Sequence, residues 1–139
     1  MSEDFYYQKI PTFRIGLPGN KFVGEFHKDS DYNHQDYELN FNLGLCNYFG
    51  KTSLKVQEKP NSKNFIYLEC PYGEVFSFDH INCIHGSELN TSGQTMVSFD
   101  FRIALKNYYF DSEKKSITNN SIFNKGFYFN KELVKGSNR

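Results

Sequence analysis

Three residues in two parts of the sequence carry side chains that can bind a catalytic metal. In His27-Lys28-Asp29 a histidine and a carboxylate stand two residues apart, and a second histidine, His85, follows much later. Two histidines and one carboxylate are the facial ligand set of a mononuclear non-haem iron, which leaves positions open for oxygen and a co-substrate. Further along, Arg102 can hold a dicarboxylate through a bidentate, charge-assisted contact. These four residues predict an oxygenase.

The spacing within the first group has a structural meaning. Residues i and i+2 of a strand point to the same face, so His27 and Asp29 can converge on one ion if Lys21–Phe26 is a strand that leads into them. Taken alone, the pair is also typical of surface residues at the end of a strand. His85 is followed directly by Gly86, which suits a place where the backbone passes close to a ligand.

Other residues compete for the role of ligand. His34-Gln35-Asp36 repeats the same spacing a short distance downstream, and His80 precedes His85. Ligands are best held on rigid elements, and His34 lies among loop residues, so we prefer the first pair. His34 then contacts the substrate or supports the site, and His80 is an ordinary exposed or hydrogen-bonded histidine.

Length and charge narrow the class of protein. A chain of 139 residues is one domain by the usual length prior, with a core at about 7–105 and an aromatic C-terminal tail at 106–139. Lys and Arg together number 16, and Asp and Glu together also number 16. Because these charges balance, we expect neither a nucleic-acid nor a membrane partner. The three cysteines show no C-x-x-C spacing and no signal peptide is evident, so we expect reduced thiols in a cytoplasmic protein.

Alternation of apolar and polar residues predicts strands with one buried face. No segment has a helical period, and turn residues such as Pro18-Gly19-Asn20 separate the alternating runs. The sequence therefore predicts an all-β jelly roll with few or no helices. Its predicted strands are Phe13–Leu17, Leu39–Leu45, Thr52–Gln57, Phe65–Glu69, Glu74–Phe78 and Val97–Ile103.

Several segments of the sequence together resemble those of a known group of enzymes. The chain resembles the 2-oxoglutarate- and iron(II)-dependent oxygenases of the streptomycin-biosynthesis type, which occur in sporadic carbohydrate-biosynthesis clusters. The resemblance covers roughly Tyr7 to Arg102. It rests on the segments Pro11–Ile15, Pro18–Asn20, Glu25–His34, Glu38–Phe41 and His85–Arg102.

The resemblance implies a double-stranded β-helix, with His27, Asp29 and His85 on iron(II). It also implies an arginine on the carboxylate of 2-oxoglutarate. In many proteins of this type that arginine stands at the position of Met96. The methionine of this chain is uncharged and cannot bind the carboxylate. Arg102 is then the first candidate for the co-substrate, with Arg14, Lys21 and the polar Asn40 as further candidates.

The substrate is the part that the sequence defines least. Polar residues predicted to face inward suit a hydroxyl-rich ligand, and the resemblance implies a sugar or a sugar-bearing intermediate. The sequence predicts an apolar sheet face and no helix to pack against it. Because large exposed apolar surfaces are rare, we expect either the C-terminal tail or a second copy in a homodimer to cover this face. The candidates for substrate contact or support of the site are His34, Tyr32, Glu38, Asn42 and Asn90.

The expected function is a dioxygenase that oxidises a carbohydrate-biosynthesis intermediate. Two alternatives stay open at this point. One is a cupin-type sugar isomerase or epimerase that uses His34 or His85 as a base. The other is a non-catalytic carbohydrate-binding jelly roll that has lost its hold on the co-substrate with the change at Met96.

Overall fold

The computed structural model describes residues 3–137, which form a nearly all-β structure. In these residues the only helical elements are two 3₁₀ turns, at Asp29–Tyr32 and Gly50–Thr52. The eight strands are β1 Phe5–Tyr7, β2 Thr12–Gly16, β3 Glu38–Gly44, β4 Leu54–Gln57, β5 Phe65–Leu68, β6 Val75–Ser77, β7 His85–Ser87 and β8 Met96–Leu105.

The strands form two antiparallel sheets. The larger sheet has the order β1-β8-β3-β6, and β2 also pairs with β8, while the smaller sheet has the order β5-β4-β7. The ten-residue β8 is the central strand, because β1 and β2 pair with it on one edge and β3 on the other. The predicted all-β jelly roll is confirmed.

The faces of the larger sheet are unlike. On β3 and β8, Asn40 pairs with Arg102 and Asn42 with Asp100, and these polar side chains face the space between the two sheets. The alternating residues point outward, where the rings of Phe41 and Phe101 stack. Apolar residues therefore cover the outside of this sheet and polar residues cover its inside.

The apolar core lies around the ends of the barrel rather than along the inner face of β8. One cluster joins Tyr37 and Ala104 to Phe123 and Phe129 of the C-terminal tail, and both of these phenylalanines are fully buried. The backbone of Phe5 also pairs with that of Val134. The tail is thus an integral part of the packing.

Two details differ from the predicted strands. Lys21–Phe26 is not a strand: the N–H groups of Phe22 and Val23 donate to the Ser87 hydroxyl instead of a ladder of carbonyls. A side chain thereby replaces the regular pairing, and only His27 regains a backbone bridge. The short strands β1 and β7 were missed, because three residues are too few to show alternation.

No helix in residues 3–137 has the length and the apolar composition that are needed to cross a bilayer.

Candidate metal centre

The structure brings His27, Asp29 and His85 together at one point. Their donor atoms all lie within 4.8 Å of one another, and no other group of three or more such residues in the described part of the chain does so. Asp29 Oδ1 lies 3.4 Å from His27 Nε2 and 3.2 Å from His85 Nε2. Ligands about 2.1 Å from one ion at right angles are about 3.0 Å apart, so the three atoms fit a common coordination sphere.

Backbone contacts hold the three residues in place. His27 and His85 exchange both N–H···O=C bonds, at 3.0 and 2.9 Å, as an antiparallel pair beside β7. Asp29 begins the first 3₁₀ turn, and its N–H donates to the carbonyl of His80. A Cβ at Gly86 would lie 2.9 Å from the ring of Phe26, so this glycine is required by a phenylalanine and not by a ligand.

Each histidine ligand has its other ring nitrogen engaged. His27 Nδ1 lies 2.7 Å from the Glu25 carbonyl, and His85 Nδ1 lies 3.0 Å from the Cys83 carbonyl. Since a carbonyl only accepts, each Nδ1 donates, and this assignment leaves Nε2 of the neutral ring as the atom that could bind a metal. A hydrogen bond to Asp29 raises the pKa of His27 above its ordinary value, against the effect of burial.

The second oxygen of Asp29 is held from two sides. Arg102 Nη2 donates to Oδ2 at 2.5 Å, and His80 Nδ1 lies 2.9 Å from the same atom. Burial alone would raise the pKa of Asp29, but hydrogen bonds from His27, His80 and His85 and the charge of Arg102 hold it well below its usual range. Asp29 is therefore a carboxylate that offers Oδ1 to a metal.

His80 is the residue whose importance sequence reasoning missed. It is 2% exposed, and its Nε2 lies 3.0 Å from the Glu38 carbonyl while its Nδ1 faces Asp29. It is thus a hydrogen-bonded histidine, as expected, but its partner is a predicted metal ligand. The His80–Asp29 contact joins residues 51 positions apart, and no local pattern reports it.

Arg102 is nearly buried and its donors are directed at protein groups. Besides its bond to Asp29, it donates through Nη1 to the Tyr128 hydroxyl at 3.2 Å. Its Nε has no hydrogen-bond partner in residues 3–137 and lies 3.7 Å from Glu38 Oε2. Arg102 therefore binds the carboxylate of Asp29 from the wall of the cavity, and its predicted contact with a co-substrate stays a prediction.

A cavity of about 530 Å³ opens between the sheets, with the three ligands in its wall. This volume lies within the usual range for small-molecule sites. Arg14 also lines the cavity and forms a bidentate pair with buried Asp100, at 2.7 and 3.3 Å. Met96, which is 2% exposed, packs with Tyr48 and Cys70 at the same end.

Four polar atoms of residues in the wall of this cavity are buried and have no hydrogen-bond partner within residues 3–137. They are Asn40 Oδ1, Asn42 Nδ2, the Tyr48 hydroxyl and Arg102 Nε. Buried polar groups are nearly always paired, and each unpaired one costs about 1–3 kcal/mol. Such a cluster is typical of a site that a polar ligand completes.

Of the remaining predicted site residues, some line the cavity and others do not. Tyr32 and His34 line the cavity, and Glu38 is buried behind them. Asn90 does not line the cavity, because its amide is engaged by Gly16, Gln94 and Ser92 in holding a loop. Asp36, from the alternative ligand pair, is exposed and does not belong to the group formed by His27, Asp29 and His85.

The two sheets and the enclosed cavity define a cupin-like jelly roll. The nickel complex of ThoJ, a non-heme monooxygenase, superposes with a TM-score of 0.57 at 13% identity, over 74% of this chain and 45% of ThoJ. EvdMO1 superposes with a TM-score of 0.54 at 17% identity, over 70% of this chain and 27% of EvdMO1. At these identities the likeness shows the fold alone.

In sequence, the chain is similar to the streptomycin biosynthesis protein StrG of Streptomyces griseus. The two are 35% identical over 124 residues, which are 89% of this chain and 59% of StrG. The chain thus spans about three fifths of the length of this relative. No protein-family model matches the chain. This sequence similarity confirms the expected resemblance to a protein of streptomycin biosynthesis.

Proposed function

We propose that this chain is an iron(II)- and 2-oxoglutarate-dependent oxygenase. The observation that carries the proposal is the meeting of His27, Asp29 and His85 with Nε2, Oδ1 and Nε2 turned to one point. This ligand set is typical of non-haem iron oxygenases. The likeness in fold to the non-heme monooxygenase ThoJ supports this class, and the likeness in sequence to StrG supports a biosynthetic role.

The residues present fit a divalent metal. His27 Nδ1 is engaged by the Glu25 carbonyl and its Nε2 faces Asp29 Oδ1 across 3.4 Å, so a cation between them would contact both Nε2 and Oδ1. Arg102 and His80 occupy Asp29 Oδ2, so the carboxylate would bind through one oxygen and leave the opposite side of the site open. Bound iron(II) would supply the activation of oxygen, and the chain supplies the orientation of its ligands and a pocket shielded from water.

We place the co-substrate at the end of the cavity that holds the unpaired polar atoms. Arg14 pairs across β2 and β8 with Ser98, which stands two residues from Met96 on the same face. An arginine from the neighbouring strand thereby reaches the region where related proteins have one at the position of Met96. Arg14 Nη1, which is not used in the pair with Asp100, can donate a hydrogen bond to a carboxylate of 2-oxoglutarate, as can Asn42 Nδ2 and the Tyr48 hydroxyl.

The balanced reaction takes one oxygen molecule. 2-Oxoglutarate loses carbon dioxide and becomes succinate, one oxygen atom enters succinate, and the other is inserted into a C–H bond of the substrate. The substrate class that we propose is a sugar or a sugar-bearing biosynthetic intermediate. The likeness to StrG supports it, together with the neutral hydrogen-bonding groups that line the cavity.

The test is consumption of 2-oxoglutarate by protein that has been loaded anaerobically with iron(II). On admission of oxygen, we expect succinate and carbon dioxide in equal amounts, at a slow uncoupled rate when no substrate is present. His85→Ala removes a ligand and is expected to abolish this turnover. If the loaded protein never converts 2-oxoglutarate, with or without candidate sugars, the proposed function is wrong.

The same assay separates the alternatives. A cupin-type isomerase or epimerase would convert a sugar without oxygen or 2-oxoglutarate. A non-catalytic binding module would retain its ligand affinity after His85→Ala.

A further inference from the structure

A histidine outside the metal centre is built into the wall of the cavity. His34 has a side chain that is 10% exposed, and it lines the same cavity as His27 and Asp29. It follows the first 3₁₀ turn, which begins at Asp29, and its N–H donates to the Asp29 carbonyl. The fold therefore fixes its distance from the metal ligands.

The ring of His34 is also fixed in orientation. His34 Nδ1 lies 2.7 Å from Oε2 of Glu38, whose side chain is fully buried. The other oxygen of Glu38 accepts the backbone N–H of Gln35 at 2.7 Å. The ring packs against those of Phe123 and Tyr128, with centroids 4.7 and 5.8 Å away. Because the carboxylate accepts, Nδ1 donates and Nε2 is left for another partner.

Nε2 of His34 makes no hydrogen bond within residues 3–137, in contrast to His80, whose two nitrogens both face oxygens. The neighbouring part of the wall carries hydroxyl and amide groups, and the charged side chains beside it are already paired, since Glu38 holds His34 Nδ1 and Arg102 donates to Asp29 and Tyr128. Asn33 donates to the carbonyl of Lys115 at 3.0 Å, which brings the following segment of the tail beside His34. The polar residues that line the cavity on this side are Tyr32, Ser116, Thr118 and Asn119.

We propose that His34 Nε2 binds a hydroxyl group of a neutral, polyhydroxylated ligand. A hydroxyl group donates to Nε2 of the neutral ring and accepts from it if the ring is protonated, so it suits this position in either state. The surrounding hydroxyl and amide groups complement further hydroxyls. Arg102, the cation that contacts Tyr128 here, is engaged by Asp29 and Tyr128 and so does not select for an anion. This inference rests on the proposed function only in that the ligand would be the substrate held beside the metal.

The test uses the full chain loaded with Zn²⁺, which takes the same ligands and has no redox chemistry. ¹⁵N-detected NMR of the histidine rings reports which nitrogen carries the proton and which one responds to ligand. We expect His34 to be protonated at Nδ1. Titration with D-glucose and D-mannose to about 100 mM is expected to shift its Nε2 resonance and to leave that of His80 unchanged.

Substitution provides the second arm of the test. His34→Phe keeps the packing against Phe123 and Tyr128 and removes the acceptor, so we expect hexose affinity to fall about tenfold with unchanged Zn²⁺ affinity. His34→Gln retains a hydrogen-bonding amide and is expected to keep part of the affinity. Unchanged hexose affinity in His34→Phe overturns the proposal, and so does a wild-type His34 resonance that no hexose perturbs.

Neither readout involves turnover, so the outcomes for this site and for the oxygenase are separable. If 2-oxoglutarate is never consumed but hexoses shift His34 Nε2, the binding site stands and the oxygenase reaction falls. If 2-oxoglutarate is consumed and hexoses do not perturb His34, the reverse holds.

Discussion

The inner and outer faces of the larger sheet present opposite chemistry. On the inside, Asn40, Asn42 and Asp100 line a cavity, and the amides carry atoms without partners. On the outside, Phe13 and Ile15 are more than half exposed. Burial of apolar surface would favour the opposite arrangement. We infer from this difference that the inner face binds a ligand, and that its unpaired polar groups lower the stability of the fold. Within residues 3–137, no segment packs over the apolar outer face.

The largest expected effect comes from the inner face at Asp29. Asp29→Ala removes a metal ligand and leaves the buried Arg102 and His80 without their shared acceptor. We expect Ni²⁺ binding, measured by calorimetry, to be lost. The free energy of unfolding in urea should fall by about 3–5 kcal/mol, because a buried charge loses its partner.

Asp29→Asn is the matched control, since it keeps the shape of the side chain and one acceptor oxygen. It should lose metal affinity but less stability than Asp29→Ala. Retention of full Ni²⁺ affinity in either variant would exclude Asp29 from the centre.

The next effect distinguishes binding from stability on the same face. Asn42→Leu removes an amide nitrogen that has no partner. We expect the affinity for 2-oxoglutarate to fall about tenfold, through loss of one charge-assisted hydrogen bond. Stability should stay equal or rise, since an unpaired polar group has been replaced by an apolar one of similar volume.

Both quantities are measured on one preparation, by calorimetry with Ni²⁺-loaded protein and by urea unfolding. A marked loss of stability would mean that Asn42 supports the fold rather than the co-substrate.

The outer face should behave in the reverse way. The stacked pair of Phe41 and Phe101 lies at its centre, and we propose that a second copy covers this face in a homodimer. Phe41→Ser with Phe101→Ser should leave metal affinity unchanged and shift the mass measured by light scattering at tens of micromolar from dimer to monomer. A wild-type monomer under these conditions contradicts the dimer.

The sequence predicts the strands better than it predicts the faces. Alternation located β3 and β8 to within a few residues, since one period-two pattern serves either face. Alternation does not distinguish the two faces, and hydrophobicity alone would turn Asn40 and Asn42 of β3 outward. Their inward direction is expected only because the sequence predicts a polar ligand inside the barrel. The spacing of His27 and Asp29 identified a centre, but the strand expected before it is irregular because Ser87 caps its N–H groups.

The smallest effect concerns the thiols. Burial raises the pKa of Cys70 and of Cys83, so less of each is thiolate at pH 7–8. Cys46 is half-buried. Iodoacetamide at pH 7.5 should therefore label Cys46 first, as located by peptide mass spectrometry, with the other two protected until urea unfolds the chain. Rapid native labelling of Cys83 would show that the core around it opens.

The central claim is that one divalent ion binds between His27, Asp29 and His85. A crystal structure of the protein grown anaerobically with iron(II), with anomalous data at the iron edge, tests it most directly. The account predicts one peak per chain about 2.0–2.2 Å from both Nε2 atoms and Oδ1. A peak on His34 and Asp36, or no peak at the three residues while iron is bound elsewhere, contradicts it.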